Sequence, residues 1–259
     1  MCHDLDGRPP IPPLAGAAVD GERIELEAAD GSRLIAFNAR AADSPTRAGM
    51  IVLPDVRGLH HFYEELALRF AERGIDAVAI DYFGRTARTD DRGEKFEHMP
   101  HVDQTRYETL LLDVKAARHH LVERGVESVF AVGFCYGGRL SFLAGSRPEL
   151  ALAGVIGFYG VPAGPGRAGM PAPVDVAGQF VSPVLGLFGG ADQGIPHQSV
   201  ESFGRALTAA GVDNELVSYP GAPHAFFDRK AVDFAEAAED AWRRVLEFVQ
   251  RLSRIPSPV

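Results

Sequence analysis

A cysteine framed by glycines, Gly133-Phe134-Cys135-Tyr136-Gly137-Gly138, is the sharpest chemical signal in this chain. Ser128–Val132 before it reads as a strand, and Arg139–Ala144 after it as a helix. A nucleophile on a sharp strand-to-helix turn needs small neighbours on both sides, because the strained backbone and the close-packed helix leave no room for side chains. The N–H groups and partial positive charge at the start of the following helix favour a thiolate there. That is the setting for nucleophilic attack on an acyl carbon.

Such a nucleophile needs a base and an acid to orient it, and both candidates follow it in the chain. Only His197 and His224 lie beyond Cys135. His224 sits in a loop directly after the strand-like run Glu215–Tyr219, whereas His197 precedes a helical run and reads as a solvated cap residue. Asp192, in Phe188-Gly189-Gly190-Ala191-Asp192, follows the strand-like run Val184–Phe188. Cys135, Asp192 and His224 therefore each fall just after a strand, on one rim of a parallel sheet, in the order nucleophile, acid, histidine.

The elements that must position them alternate between strand and helix. Ile24–Ala28 and Arg33–Phe37 flank Asp30-Gly31 and read as a hairpin. Met50–Leu53, Ala77–Ile80, Val129–Val132, Val155–Tyr159, Val184–Phe188 and Glu215–Tyr219 read as further strands. Glu64–Arg73, the stripe Leu110, Val114, Ala117 and Leu121, then Val200–Ala210 and Phe234–Leu252 read as helices, the last with Trp242, Val245 and Val249 inward. Thr105-Arg106-Tyr107-Glu108 reads as a capping box and residues 84–104 as a long polar loop. Residues 160–173, rich in glycine and proline, read as loop, either a lid or a plain connection. This alternation predicts an α/β fold with a mostly parallel central sheet and helices on both faces. Residues 1–20, with Pro9, Pro10, Pro12 and Pro13, are expected to form an irregular arm, and 21–259 a single domain.

Composition narrows the function. The chain has 259 residues, 46% hydrophobic and 24% charged, with a net charge of −9. An acidic balance argues against a nucleic-acid partner, and the apolar runs are too short to span a membrane. Two cysteines, Cys2 and Cys135, cannot build a disulfide framework. With no basic or apolar leader in Met1-Cys2-His3-Asp4, a cytoplasmic location is expected. The pairs His60-His61 and His119-His120 place neighbouring side chains apart, so no metal site is expected.

The sequence resembles the dienelactone hydrolase family of the α/β-hydrolase superfamily. The resemblance rests on the motif at 133–138, on Gly189-Gly190-Ala191-Asp192-Gln193-Gly194-Ile195-Pro196 and on Tyr219-Pro220-Gly221-Ala222-Pro223-His224-Ala225-Phe226-Phe227. It extends to Pro54-Asp55-Val56-Arg57-Gly58-Leu59 and Asp81-Tyr82-Phe83-Gly84-Arg85, so it covers roughly residues 50–250. It implies an α/β-hydrolase fold, a triad of Cys135, Asp192 and His224, and hydrolysis of an enol lactone or related ester with no cofactor. The oxyanion hole would be the backbone N–H groups of Val56 and Tyr136. The family carries a Glu near the thiol where this chain has the shorter Asp55. It also binds a substrate carboxylate through arginines, for which Arg106 and Arg229 lie in the matching regions and Arg57 and Arg85 near the rim. The alternatives are a general carboxylesterase or thioesterase, and a noncatalytic thiol-sensing protein on the same fold. The oligomeric state is open.

Overall fold

The computed structural model describes residues 7–41, 47–87, 89, 91–228 and 230–253. Eight strands form one sheet, in the spatial order β1-β2-β4-β3-β5-β6-β7-β8. They are β1 (Val19–Glu27), β2 (Arg33–Ala41), β3 (Ala48–Leu53), β4 (Asp76–Ile80), β5 (Ser128–Phe134), β6 (Gly154–Phe158), β7 (Val184–Gly189) and β8 (Asn214–Tyr219). The strands from β4 to β8 run parallel, while β1 and β2 add an antiparallel hairpin at one edge. The hairpin bends at Gly31 (φ 78°), and the Asp30 side chain accepts the Ser32 N–H at 3.1 Å. β1 starts at Val19, inside the stretch expected to be irregular, because its full length pairs with β2 from Val19 opposite Ala41 to Glu27 opposite Arg33.

Every residue of β3, β4, β5, β6 and β7 is buried. That fits a parallel sheet covered on both faces, whose strands carry continuous apolar runs rather than alternating ones. Gly154 and Gly157 of β6, three residues apart, face opposite sides. A Cβ on Gly157 would meet Phe142 at 2.3 Å, and one on Gly154 would meet Phe248 at 2.6 Å. Phe142 belongs to α4 (Tyr136–Ala144) and packs on Phe203 of α5 (His197–Ala209), with ring centroids 5.3 Å apart. Phe248 belongs to α6 (Ala235–Leu252), whose Trp242 packs on Phe70 of α1 (His61–Ala71) at 4.9 Å. So α4 and α5 cover one face, and α1 and α6 the other.

Two local expectations are corrected. Residues 84–104 contain a short helix, α2 (His98–Val102). It is held by an aromatic and cationic cluster: the Arg92 guanidinium lies 4.4 Å from the Phe96 ring centre, and His101 stacks on Phe96 at 4.9 Å. Arg92 also pairs with Asp81 at 2.8 Å, both side chains being buried. The capping box is absent. Helix α3 (Tyr107–Glu123) starts without a side-chain cap, because the Thr105 hydroxyl is committed to Val102 O (2.6 Å) and to the Tyr136 hydroxyl (2.7 Å).

His120 of α3 makes a testable point about stability. Its Nε2 lies 3.1 Å from Asn38 Oδ1, and its Nδ1 lies 3.1 Å from the Arg124 guanidinium. Nδ1 therefore accepts, Nε2–H donates, and the ring is neutral. Burial, then the Arg124 charge, push its pKa down from 6.5 to about 4. A histidine whose folded pKa is depressed stabilises the fold fully above its unfolded pKa, and that contribution is lost as pH falls toward the folded value. The expected loss between pH 6.5 and 4 is about 1 kcal/mol after discounting for partial exposure. Thermal melts of His120→Gln should show a shallower fall over that window than the parent protein.

Candidate active site

The strand order changes direction at β3, since β4 lies on one side of it and β5 on the other. In open α/β sheets the crevice at the carboxyl ends of such strands is where ligands bind. β3 ends at Leu53, leading into Pro54-Asp55-Val56, and β5 ends at Phe134, leading into Cys135.

Cys135 has φ 54° and ψ −107°, a conformation that non-glycine residues avoid. It is held there from both sides: its N–H donates to Phe158 O at 3.0 Å and its carbonyl accepts Arg139 N–H at 3.1 Å. The glycine frame supplies the close approach. A Cβ on Gly137 would lie 2.2 Å from Leu53 O and 2.3 Å from Pro54 O. The start of α4 is thus pressed against the end of β3. Tyr136 is the first residue of α4, so its N–H has no acceptor within the helix. The Cys135 side chain is half-buried.

Asp192 and His224 meet from two loops. Gly189 permits this: a Cβ there would lie 2.4 Å from Pro223 O. His224 Nδ1 lies 2.6 Å from Asp192 Oδ2, and the Gly194 N–H donates to Asp192 Oδ1 at 2.8 Å. Burial alone would raise the Asp192 pKa, but the His224 hydrogen bond, the imidazole charge and backbone N–H donors outweigh it and hold the carboxyl below its usual value. An ionised carboxylate only accepts, so Nδ1 carries the proton and Nε2 is the basic nitrogen. The imidazole ring lies 4.8 Å from that of Tyr159, the residue after the Phe158 whose carbonyl holds the Cys135 N–H. Thiol and imidazole therefore share one rim.

The first loop is rigid. The buried Asp55 donates its N–H to the Tyr63 hydroxyl at 3.0 Å, and its Oδ1 accepts the Arg57 N–H at 2.9 Å. Asp81 accepts the Leu59 N–H at 3.1 Å. The Tyr82 hydroxyl donates to Pro54 O at 2.8 Å. Burial pushes the Tyr136 phenol up to about 12, so it is a neutral wall of the site.

The arginines divide. Arg85 is committed to structure: it grips the fully buried Asp113 of α3 through two bonds of 2.6 and 2.7 Å and also reaches Asp30. The exposed Arg106 donates to the carbonyls of Asp103 and Thr105. Arg57 is partly buried, with its N–H donated to Asp55 Oδ1. His98 of α2 is held below the usual histidine value by its partial burial and then by the Arg57 charge. Arg229 lies outside the described residues.

The segment 160–173 is a stapled wall rather than a free flap. Arg139 of α4, itself buried, donates to the carbonyls of Gly164 (2.7 Å) and Pro171 (2.8 Å), with longer bonds to Val161 and Met170. Arg139→Met keeps the apolar stem but leaves those carbonyls without donors. It should cost about 1–3 kcal/mol and speed tryptic cleavage after Arg167. An unchanged cleavage rate would show that the staple is not what holds the segment.

A mostly parallel eight-stranded sheet with helices on both faces and a strained Cys135 at the β5–α4 turn is the architecture of an α/β-hydrolase. The model of the family described as "Dienelactone hydrolase family" matches residues 35–253. A Yersinia pestis relative named "Putative carboxymethylenebutenolidase" is 34% identical over 81% of this chain and 80% of its own length. A relative of the same name from Escherichia coli (strain K12) is 32% identical over 85% and 83%. A crystal structure described as "Putative Dienelactone Hydrolase" from Klebsiella pneumoniae superposes with a TM-score of 0.79 at 28% identity, covering 90% of this chain and 99% of that one. The chain belongs to the dienelactone hydrolase family and is, by that membership, a carboxylic ester hydrolase. No helix among the described residues is long and apolar enough to cross a membrane. Among them, no group of three or more His, Cys, Asp or Glu side chains could hold a metal ion.

Proposed function

We propose that this protein hydrolyses an enol lactone or a related small carboxylic ester through a thioester on Cys135. The observation that carries this reading is the 2.6 Å contact between Asp192 and His224 on the rim that also bears a cysteine at the elbow. The Cys135 thiol passes its proton to His224 Nε2, and sulfur attacks the ester carbonyl. The backbone N–H groups of Val56 and Tyr136 stabilise the tetrahedral oxyanion. Collapse breaks the acyl–oxygen bond, and the leaving oxygen takes the proton from the imidazolium, at once or after leaving as an enolate, which returns His224 to its neutral form. Water, deprotonated by His224, then attacks the thioester and releases the carboxylic acid and the thiol. Asp192 keeps the imidazole in the tautomer that serves both half-reactions.

A thiolate is a weaker base than an alkoxide, so it expels a stabilised leaving group such as an enolate more readily than an alkoxide. That favours lactones with an enol oxygen over simple alkyl esters, in line with the family's name. The test is to quench p-nitrophenyl acetate turnover in acid and map the acyl group by mass spectrometry. An acetyl group on the Cys135 peptide, released by hydroxylamine, is expected. Acetylation confined to other residues would overturn the proposal.

A further inference from the structure

We propose that Tyr159 and Asp228 form a positioning pair for the His224 imidazole. The inference rests on the reading of His224 as the base. Tyr159, at the end of β6, has φ 41°, a left-handed conformation that costs a side-chain-bearing residue about 1 kcal/mol. Its N–H is locked to Leu187 O at 2.8 Å. The bend turns the ring across the rim, where it faces His224 with centroids 4.8 Å apart and planes at 53°. The phenol is fully buried, and its hydroxyl donates to Asp228 Oδ2 at 2.6 Å, a charge-assisted bond.

Asp228 belongs to the same loop as His224. That loop turns at Ala225, another non-glycine residue with positive φ (61°), and Asp228 N–H returns to Ala225 O at 3.3 Å. The ring packed on the imidazole is therefore tied through its hydroxyl to the loop that carries the imidazole. Asp192 fixes one ring nitrogen at 2.6 Å, while Tyr159 fixes a ring face. Together they oppose rotation of the histidine that would swing Nε2 off the thiol. Tyr159 and Asp228 are positioning residues, since the argument has them act through His224.

The experiment measures kcat and KM for p-nitrophenyl acetate in Tyr159→Phe, Asp228→Ala, Asp228→Asn and the Tyr159→Phe/Asp228→Ala double variant, with melting temperatures. Phe keeps the packing and removes only the hydrogen bond. Misplacing a base by a fraction of an ångström is expected to lower kcat roughly 10- to 100-fold, with KM changed by less than about twofold. The double variant should be about as slow as the slower single one, because both remove the same link. Asn, which keeps an acceptor oxygen, should recover most of the kcat lost with Ala. The low-field His224 Nδ1–H proton resonance should broaden in Tyr159→Phe and sharpen again in Asp228→Asn relative to Asp228→Ala. Unchanged kcat in Tyr159→Phe, or multiplying losses in the double variant, would overturn the pairing. If Tyr159→Phe melts too early to assay, the Asn-against-Ala contrast at 228 decides. Full activity in His224→Ala would instead overturn the catalytic reading itself, whereas an inactive His224→Ala with unaltered Tyr159→Phe would overturn only the positioning.

Discussion

Replacing Cys135 with alanine is expected to lower kcat/KM for p-nitrophenyl acetate or an enol lactone by at least about 10³-fold, because no other group takes over bond formation to the acyl carbon. The fold should survive. Cys135 is half-buried, so only a small part-exposed sulfur is lost, and the strained φ of 54° is held by backbone bonds to Phe158 and Arg139 that alanine keeps. A melting temperature close to that of the parent protein, with turnover gone, is the predicted pair of results. Serine at 135 separates nucleophile from geometry: the hydroxyl occupies the same place but is barely ionised at neutral pH, so activity well below the parent is expected. Turnover in Cys135→Ala equal to the parent's would remove the thioester route. Thiol sensing without catalysis predicts no turnover in the parent protein either, so the parent's own rate separates that competing reading.

The second large effect concerns folding. A Cβ on Gly133 would sit 1.9 Å from Gly137 O, 2.3 Å from Gly137 C and 2.7 Å from Gly138 N. All three are backbone atoms, so no rotamer change relieves the clash. Gly133→Ala must therefore lever the first turn of α4 away from the end of β5. The shift would also open the contact of Gly137 with Leu53 O and Pro54 O at the end of β3. Overpacking of this kind costs more than the usual 1–3 kcal/mol, here about 4 kcal/mol or more. Chemical denaturation should show a much lower midpoint, or little folded protein should be recovered, and any folded fraction should be nearly inactive. Parent-like stability and activity would mean that the elbow does not need this glycine.

Much of the site was legible in advance because its demands are local. A residue at positive φ with a helix packed tightly behind it calls for glycines at fixed offsets, and 133, 137 and 138 supply them. The continuous apolar runs at 50–53, 129–132 and 184–188 are those of strands covered on both faces, which is how they fold. Thr105 misled for the opposite reason. Its spacing to Glu108 fits a capping box, but the Tyr136 hydroxyl, 31 residues away, takes the side chain first. The polar look of 84–104 likewise hid a helix, because Arg92, polar as a residue type, is buried against Asp81, Phe83 and Phe96.

The amino-acid order by itself determined the alternation of strands and helices, the glycine-framed cysteine, and the succession of thiol, carboxylate and imidazole behind strand ends. Each is a matter of backbone conformation or periodicity within a few residues. Only the tertiary structure decided which polar groups meet: Arg85 with Asp113, Arg139 with the 160–173 wall, and Tyr159 with Asp228 across 69 positions. Buried donors and acceptors are driven to find partners, and which partner lies within 3 Å is settled by packing rather than by spacing along the chain.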